Sequence, residues 1–222
     1  MEKKALIDAI LEKEWPMFHN VNGEERADCQ DDRRTFTAMR TAQYAVWSNE
    51  ALESYLGDVE KAEREGRNLA REKYIRMMAT TAPEGYEHFR GELGPDSEEK
   101  KQTVAAIWAI LLRQTEKMRE KYPLIALGGR PLRISDEKGG ATSVENYQCS
   151  ELMTYSEGTL RALLREVERL EAEGESFAWK VQENSVLSMG YPSMEEAEKA
   201  MLDRLFQEMD ATVTIGGCPN CD

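Results

Sequence analysis

Apolar residues in this chain recur at helical intervals and almost nowhere alternate as they do in a strand. Val104, Trp108, Leu111 and Leu112 fall at i, i+4, i+7 and i+8, one face of an α-helix. Leu160, Leu163, Leu164, Val167 and Leu170 form a second such stripe. Capping residues stand where these runs begin. Asp96 with Glu99, and Ser193 with Glu196, have capping-box spacing. The same signals predict a helix over residues 2–14 ended by Pro16, and one from about 31 to 47. Ser48 or Asn49 opens another over 50–64 that Gly66 closes, and Asn68 opens the next, centred on Glu72, Tyr74, Met77 and Met78. Ser143 opens a helix carrying Tyr147, Glu151 and Leu152; Thr154 or Ser156 opens the one after it. A helix over 177–189 and a last one ending near Met209 complete the set.

Two stretches resist this pattern. Pro83, Gly85, Gly91 and Gly94 predict irregular chain, and the paired glycines at 128–129 and 139–140 predict a long loop over 124–142 with a short strand. Val213, Thr214 and Ile215 alternate weakly. The expectation is therefore an all-α fold, a single compact helical domain of seven to nine helices over 1–210, with a flexible Cys-containing tail over 211–222.

With 222 residues the chain is long enough to bury a core without disulfides or a metal. A net charge of −13 opposes a nucleic-acid partner, which requires Lys and Arg to displace counterions, and opposes an anionic membrane. Asp8 interrupts what would be a signal-peptide core, so a cytoplasmic protein with reduced cysteines is expected.

One segment, Trp15 to Trp47, is too rich in chemistry to be an ordinary helix entry. On a helix, Arg33, Thr37, Arg40, Tyr44 and Trp47 share a side, with Phe36, Met39 and Gln43 on the adjoining one. Guanidinium groups aligned with aromatics suit a carboxylate or phosphate, because they donate bidentately and stack on rings. His19, Asp28, Asp31 and Asp32 precede this face and supply candidate bases, or oxygen ligands for a hard cation. Acids at a helix start are also what the macrodipole favours, so Asp31 and Asp32 carry a structural reading beside the catalytic one.

Two other places can complete a pocket: Glu72, Lys73, Tyr74 and Arg76 on the fourth helix, and Glu145, Tyr147, Glu151, Thr154 and Tyr155 around the helix opened by Ser143. Glu151 and Tyr155 are four apart and share a face, whereas Glu72 and Arg76 also fit a plain surface pair. At the C-terminus, Cys218-Pro219-Asn220-Cys221 has the spacing of a metal-binding or redox pair. A structural zinc needs four ligands, and no second pair of this spacing exists.

Taken together, Trp15-Pro16-Met17-Phe18, Asp31-Asp32-Arg33-Arg34-Thr35-Phe36, Met39-Arg40-Thr41-Ala42-Gln43, Glu72-Lys73-Tyr74 and Glu151-Leu152-Met153-Thr154-Tyr155-Ser156 resemble a bacterial family known as domain of unknown function 4125. The resemblance spans about Leu6 to Met209. It implies no activity and transfers no catalytic residue; members of such families are sometimes joined to a nucleotidyltransferase-like domain, which implies such a partner or a small-molecule modification pathway. The Cys pair lies outside it.

Three functions follow from these residues. The leading one is an enzyme acting on a small anionic metabolite, with Arg33 and Arg40 holding the anion, His19, Asp31 or Asp32 moving a proton, and Tyr44 orienting. Gln43, Glu72, Tyr74, Glu151 and Tyr155 complete the binding set. The second is a ligand-binding or partner subunit without chemistry, and the third a metal or thiol carrier through Cys218 and Cys221. The cofactor is unknown: neither G-x-G-x-x-G nor a P-loop lysine occurs.

Overall fold

The computed structural model describes residues 1–21, 28–127 and 129–215. Among the described residues there are eleven α-helices, three short 3-10 turns and no strand. The helices are α1 (Lys3–His19), α2 (Arg33–Tyr44), α3 (Asn49–Glu65), α4 (Leu69–Thr81), α5 (Pro83–Phe89), α6 (Glu98–Lys121), α7 (Pro123–Leu127), α8 (Val144–Leu152), α9 (Glu157–Ala172), α10 (Phe177–Ser188) and α11 (Met194–Ile215).

The all-helical class is as expected, but there are more helices than seven to nine. The extra ones are α5 and α7, both opened by a proline. Pro83 and Pro123 each open a short helix, because a first-turn residue needs no N–H and proline's φ suits it. The 124–142 stretch thus holds α7 and a 3-10 turn at Ile134–Asp136 instead of a strand. Pro16 lies inside α1, which runs on to His19. The ring stack of Trp15, Phe18 and Phe36, with centroids 5.0–6.2 Å apart, holds that last turn against α2 and overrides the local preference. Val213, Thr214 and Ile215, which alternate in sequence, continue α11.

Most of the expected caps are in place. Ser48, Asn68, Ser143, Ser156 and Ser193 each accept the backbone N–H three residues on. At α6 the cap is Ser97; Asp96 instead grips Arg76 at 2.6 and 2.9 Å. Gly66 closes α3 at φ +67°, letting the Arg67 N–H reach the Ala62 carbonyl at 2.9 Å.

Contacts between helices close a ring: α1 packs on α3, α3 on α9, α9 on α6, α6 on α10, α10 on α2, and α2 back on α1. Inside it lies one apolar core, running from Leu6 and Ile10 through Leu52, Val59 and Ile107 to Leu160 and Val167. A smaller core of Met118, Tyr122, Val186, Met194 and Ala197 joins α11 to the ends of α6 and α10. Helix α4 packs on α1 and α8, and α8 also packs on α6. This arrangement brings α1, α2, α4 and α8 to one place. No helix among the described residues is long and apolar enough to cross a membrane.

Candidate functional site

A chain of alternating charges is buried where these helices meet. α1 contributes Glu14, α2 Arg40, α4 Lys73 and α8 Glu151. Glu14, Lys73 and Glu151 are only 8%, 8% and 5% exposed. Charged side chains are almost never buried this deeply unless paired, and here the pairing is complete. Arg40 Nε and Nη2 reach the two oxygens of Glu14 at 3.1 and 2.5 Å. Its Nη1 reaches Glu151 Oε1 at 2.5 Å and Gln43 Oε1 at 2.9 Å, and Nη2 also donates to the Tyr44 hydroxyl. A guanidinium offers five N–H groups, and these contacts use all of them.

Lys73 donates to Glu151 Oε2 and lies with Nζ 3.2 Å from the Tyr147 ring centroid, a cation–π contact. Tyr155 donates to Glu151 Oε1 at 2.7 Å, and Tyr55 to Glu14 Oε1 at 2.6 Å. Burial pushes the phenols of Tyr44, Tyr55 and Tyr155 well above their ordinary range, so they act as neutral donors and acceptors. Burial works against ionisation of Glu151 too, but the Arg40 guanidinium and Lys73 ammonium outweigh it and hold the carboxyl well below the usual carboxylate range. Burial likewise opposes the charge on Arg40, and Glu14 and Glu151 overcome it.

This network floors a cleft with a cavity volume of about 230 Å³. Met17, Phe18, Phe36, Met39 and Leu69 line its apolar side; Thr35, Tyr74, Tyr147 and Thr154 add polar groups. Asn68 fixes one wall twice over, capping α4 and donating its Nδ2 to the Met17 carbonyl at 2.8 Å.

Of the residues the sequence singles out, Arg40, Lys73, Tyr74, Tyr147, Glu151 and Thr154 line the cleft, with Phe36 and Met39 on its apolar side. Tyr155, Tyr44 and Gln43 support it from behind by bonding Glu151 and Arg40. The other candidates lie elsewhere. Asp32 is the N-cap of α2, its Oδ1 accepting from the Thr35 N–H at 2.9 Å, so the macrodipole and capping account for it. His19 ends α1, its Nδ1 3.0 Å from the Gln30 carbonyl and 3.5 Å from Asp31. Arg33 is exposed and pairs with Glu12, whereas Arg40 pairs with Glu14 and Glu151, so each arginine has its own carboxylates. Glu72 is held bidentately by Arg67 at 2.7 and 2.9 Å. Among the described residues no three His, Cys, Asp or Glu side chains cluster as a metal site. Cys218 and Cys221 lie outside the described residues.

Glu14 and Tyr55 escaped the sequence reading, whereas Lys73 stood in it among the fourth-helix residues able to complete a pocket. A signal existed. Glu14 follows Ile7 and Ile10 at i+7 and i+4 on the apolar stripe of α1, and Lys73 sits between Leu69 and Met77 at four-residue spacing on α4. A charge on an apolar stripe is a charge headed for the interior.

Fold and site together define an all-helical protein that carries a neutral, fully paired ion network at the base of a small cleft. The sequence profile of the family described as protein of unknown function DUF4125 matches residues 4–199, and the chain belongs to that family. No curated protein and no solved structure matches it.

Proposed function

We propose that the cleft between α1, α2, α4 and α8 binds a small amphipathic metabolite. Its apolar part would rest on Phe18, Phe36, Met17, Met39 and Leu69, and its polar end on the charged floor. The observation that supports this is the distribution of unused hydrogen-bonding capacity. Arg40 has no N–H left, so it holds the floor together rather than the ligand. Lys73 spends one N–H on Glu151 and faces the Tyr147 ring with another, which leaves a third. Among the described residues Glu14 Oε2 accepts only from Arg40 Nε, and it keeps acceptor capacity. A ligand end with an acceptor for Lys73 and a donor for Glu14 satisfies both without upsetting the neutral balance of two carboxylates and two cations. An acidic group on Lys73 alone is the narrower form of the same reading.

The test is a thermal-shift screen of polar metabolites on wild type, Lys73→Met and Glu14→Gln, each referred to its own unliganded melting temperature. A compound that stabilises only the wild type supports the cleft as its site. Equal stabilisation of all three places the ligand elsewhere and ends this reading.

Catalysis is a second reading, favoured by the remaining acceptor capacity of Glu14 Oε2. A carboxylate held by Arg40 and Tyr55 at the base of the cleft is placed to take a proton from a bound molecule. Incubating the stabilising compound with the protein decides it: product with wild type and none with Glu14→Gln supports turnover, whereas tight binding without product makes the protein a sensor or accessory subunit.

A further inference from the structure

A second cavity, of about 450 Å³, lies on the other side of Met39, Arg40 and Tyr147, which line both. Its walls come from α6, α7, α8 and α10, with Trp108, Leu111, Met118, Phe177 and Val181 supplying apolar surface. Its charge is unusual for this chain. The protein has 42 Asp and Glu against 29 Lys and Arg, yet among the described residues the cavity is lined by no carboxylate and by three arginines, Arg40, Arg119 and Arg130.

Arg40 is consumed by Glu14 and Glu151, but the other two are not. Arg119 Nη2 donates to the Arg130 carbonyl at 2.9 Å, and Arg130 Nη1 to the Thr142 carbonyl at 3.3 Å. Among the described residues neither reaches a carboxylate. Most of each guanidinium's five N–H groups are therefore available. Arg130 also lies over the Tyr147 ring, 4.9 Å from its centroid, which restrains its position. Burial lowers the pKa of Arg119, with no carboxylate to offset it, so an arriving anion would relieve an uncompensated charge.

We propose that this second cavity binds an organic anion with an aromatic or apolar body, its phosphate or carboxylate between Arg119 and Arg130 and its body against Trp108 and Phe177. Guanidinium forks match both anionic groups bidentately, and an apolar pocket with a few convergent polar groups is the usual form of a small-molecule site. The site stands apart from the cleft reading, since it uses neither Glu14 nor Lys73.

Isothermal titration with 1-naphthyl phosphate, and with 1-naphthol as its uncharged counterpart, tests this on the full chain. The phosphate is expected to bind about tenfold or more tighter than the naphthol. In the Arg119→Gln/Arg130→Gln double variant, shown by its melting curve to be folded, that preference is expected to vanish while naphthol binding persists. Both substitutions are on partly or fully exposed side chains, so the fold should tolerate them. Equal affinity for the two probes in wild type overturns the proposal, as does failure of both to bind at millimolar concentration. Phosphate binding that survives the double substitution but is lost in Lys73→Met moves the anion to the first cleft and equally overturns it.

Discussion

Replacing Glu151 by Gln keeps its shape and removes its charge, and the effect follows from the four groups that aim donors at it. Arg40, Gln43 and Tyr155 point at Oε1 and Lys73 at Oε2. Whichever way the new amide turns, its NH2 faces a donor, and the Lys73 ammonium is left buried without a carboxylate. Removing one partner of a buried pair typically costs about 3–5 kcal/mol, because the remaining charge has lost its compensation and cannot regain water. For a chain of this size that corresponds to a fall in melting temperature of roughly 10 °C. Acid should erase the difference. The Glu151 carboxyl is depressed in the folded state, so its contribution is present above the unfolded carboxylate pKa, about 4.3, and is lost as pH falls through the depressed folded value. Urea denaturation of wild type and Glu151→Gln at pH 7 and at progressively lower pH measures both effects. The companion variant Glu151→Gln/Lys73→Met, in which the stranded ammonium is gone, should recover part of the loss. A deficit below about 1 kcal/mol at pH 7, or one that stays constant into acid, would refute the view that this network is a tightly coupled buried unit.

Asp32→Ala should lower stability by about 1 kcal/mol through loss of the α2 cap, and leave the affinity of any cleft ligand unchanged; a combined melt and titration checks both. Gly66→Ala should cost about 1 kcal/mol in urea denaturation, since an alanine is strained at φ +67° even though open space surrounds the position. Cys149, whose thiol burial pushes up to about 12, should escape iodoacetamide at pH 8 in the native protein and react once it is denatured. Peptide mass spectrometry reads this directly, and rapid native labelling of Cys149 would contradict the burial.

How much of this was legible in advance depended on whether the cause was local. Helix identity, the caps at Ser48, Asn68, Ser143 and Ser156, and the glycine stop at 66 are decided by a few neighbouring residues, and the chain itself declares them. Where a local signal misled, packing had outvoted it: Pro16 stays inside α1 because Trp15, Phe18 and Phe36 stack there. The pairing of Tyr155 with Glu151 was readable from a spacing of four. The pairing of Arg40 with Glu14 and Glu151 was not, since 26 and 111 residues separate the partners. Alignment of Arg33 with Arg40 on one helix face suggested a shared anion, but a carboxylate from α1 claims each of them.

By itself, then, the sequence determined the helical class, most of the helix starts and a short set of polar residues that matter, because periodicity and capping act within a turn or two. Only the tertiary structure decided which charges meet. Coulomb energy and desolvation depend on distance and burial in three dimensions, and those are set by the closure of the helix ring rather than by any stretch of chain.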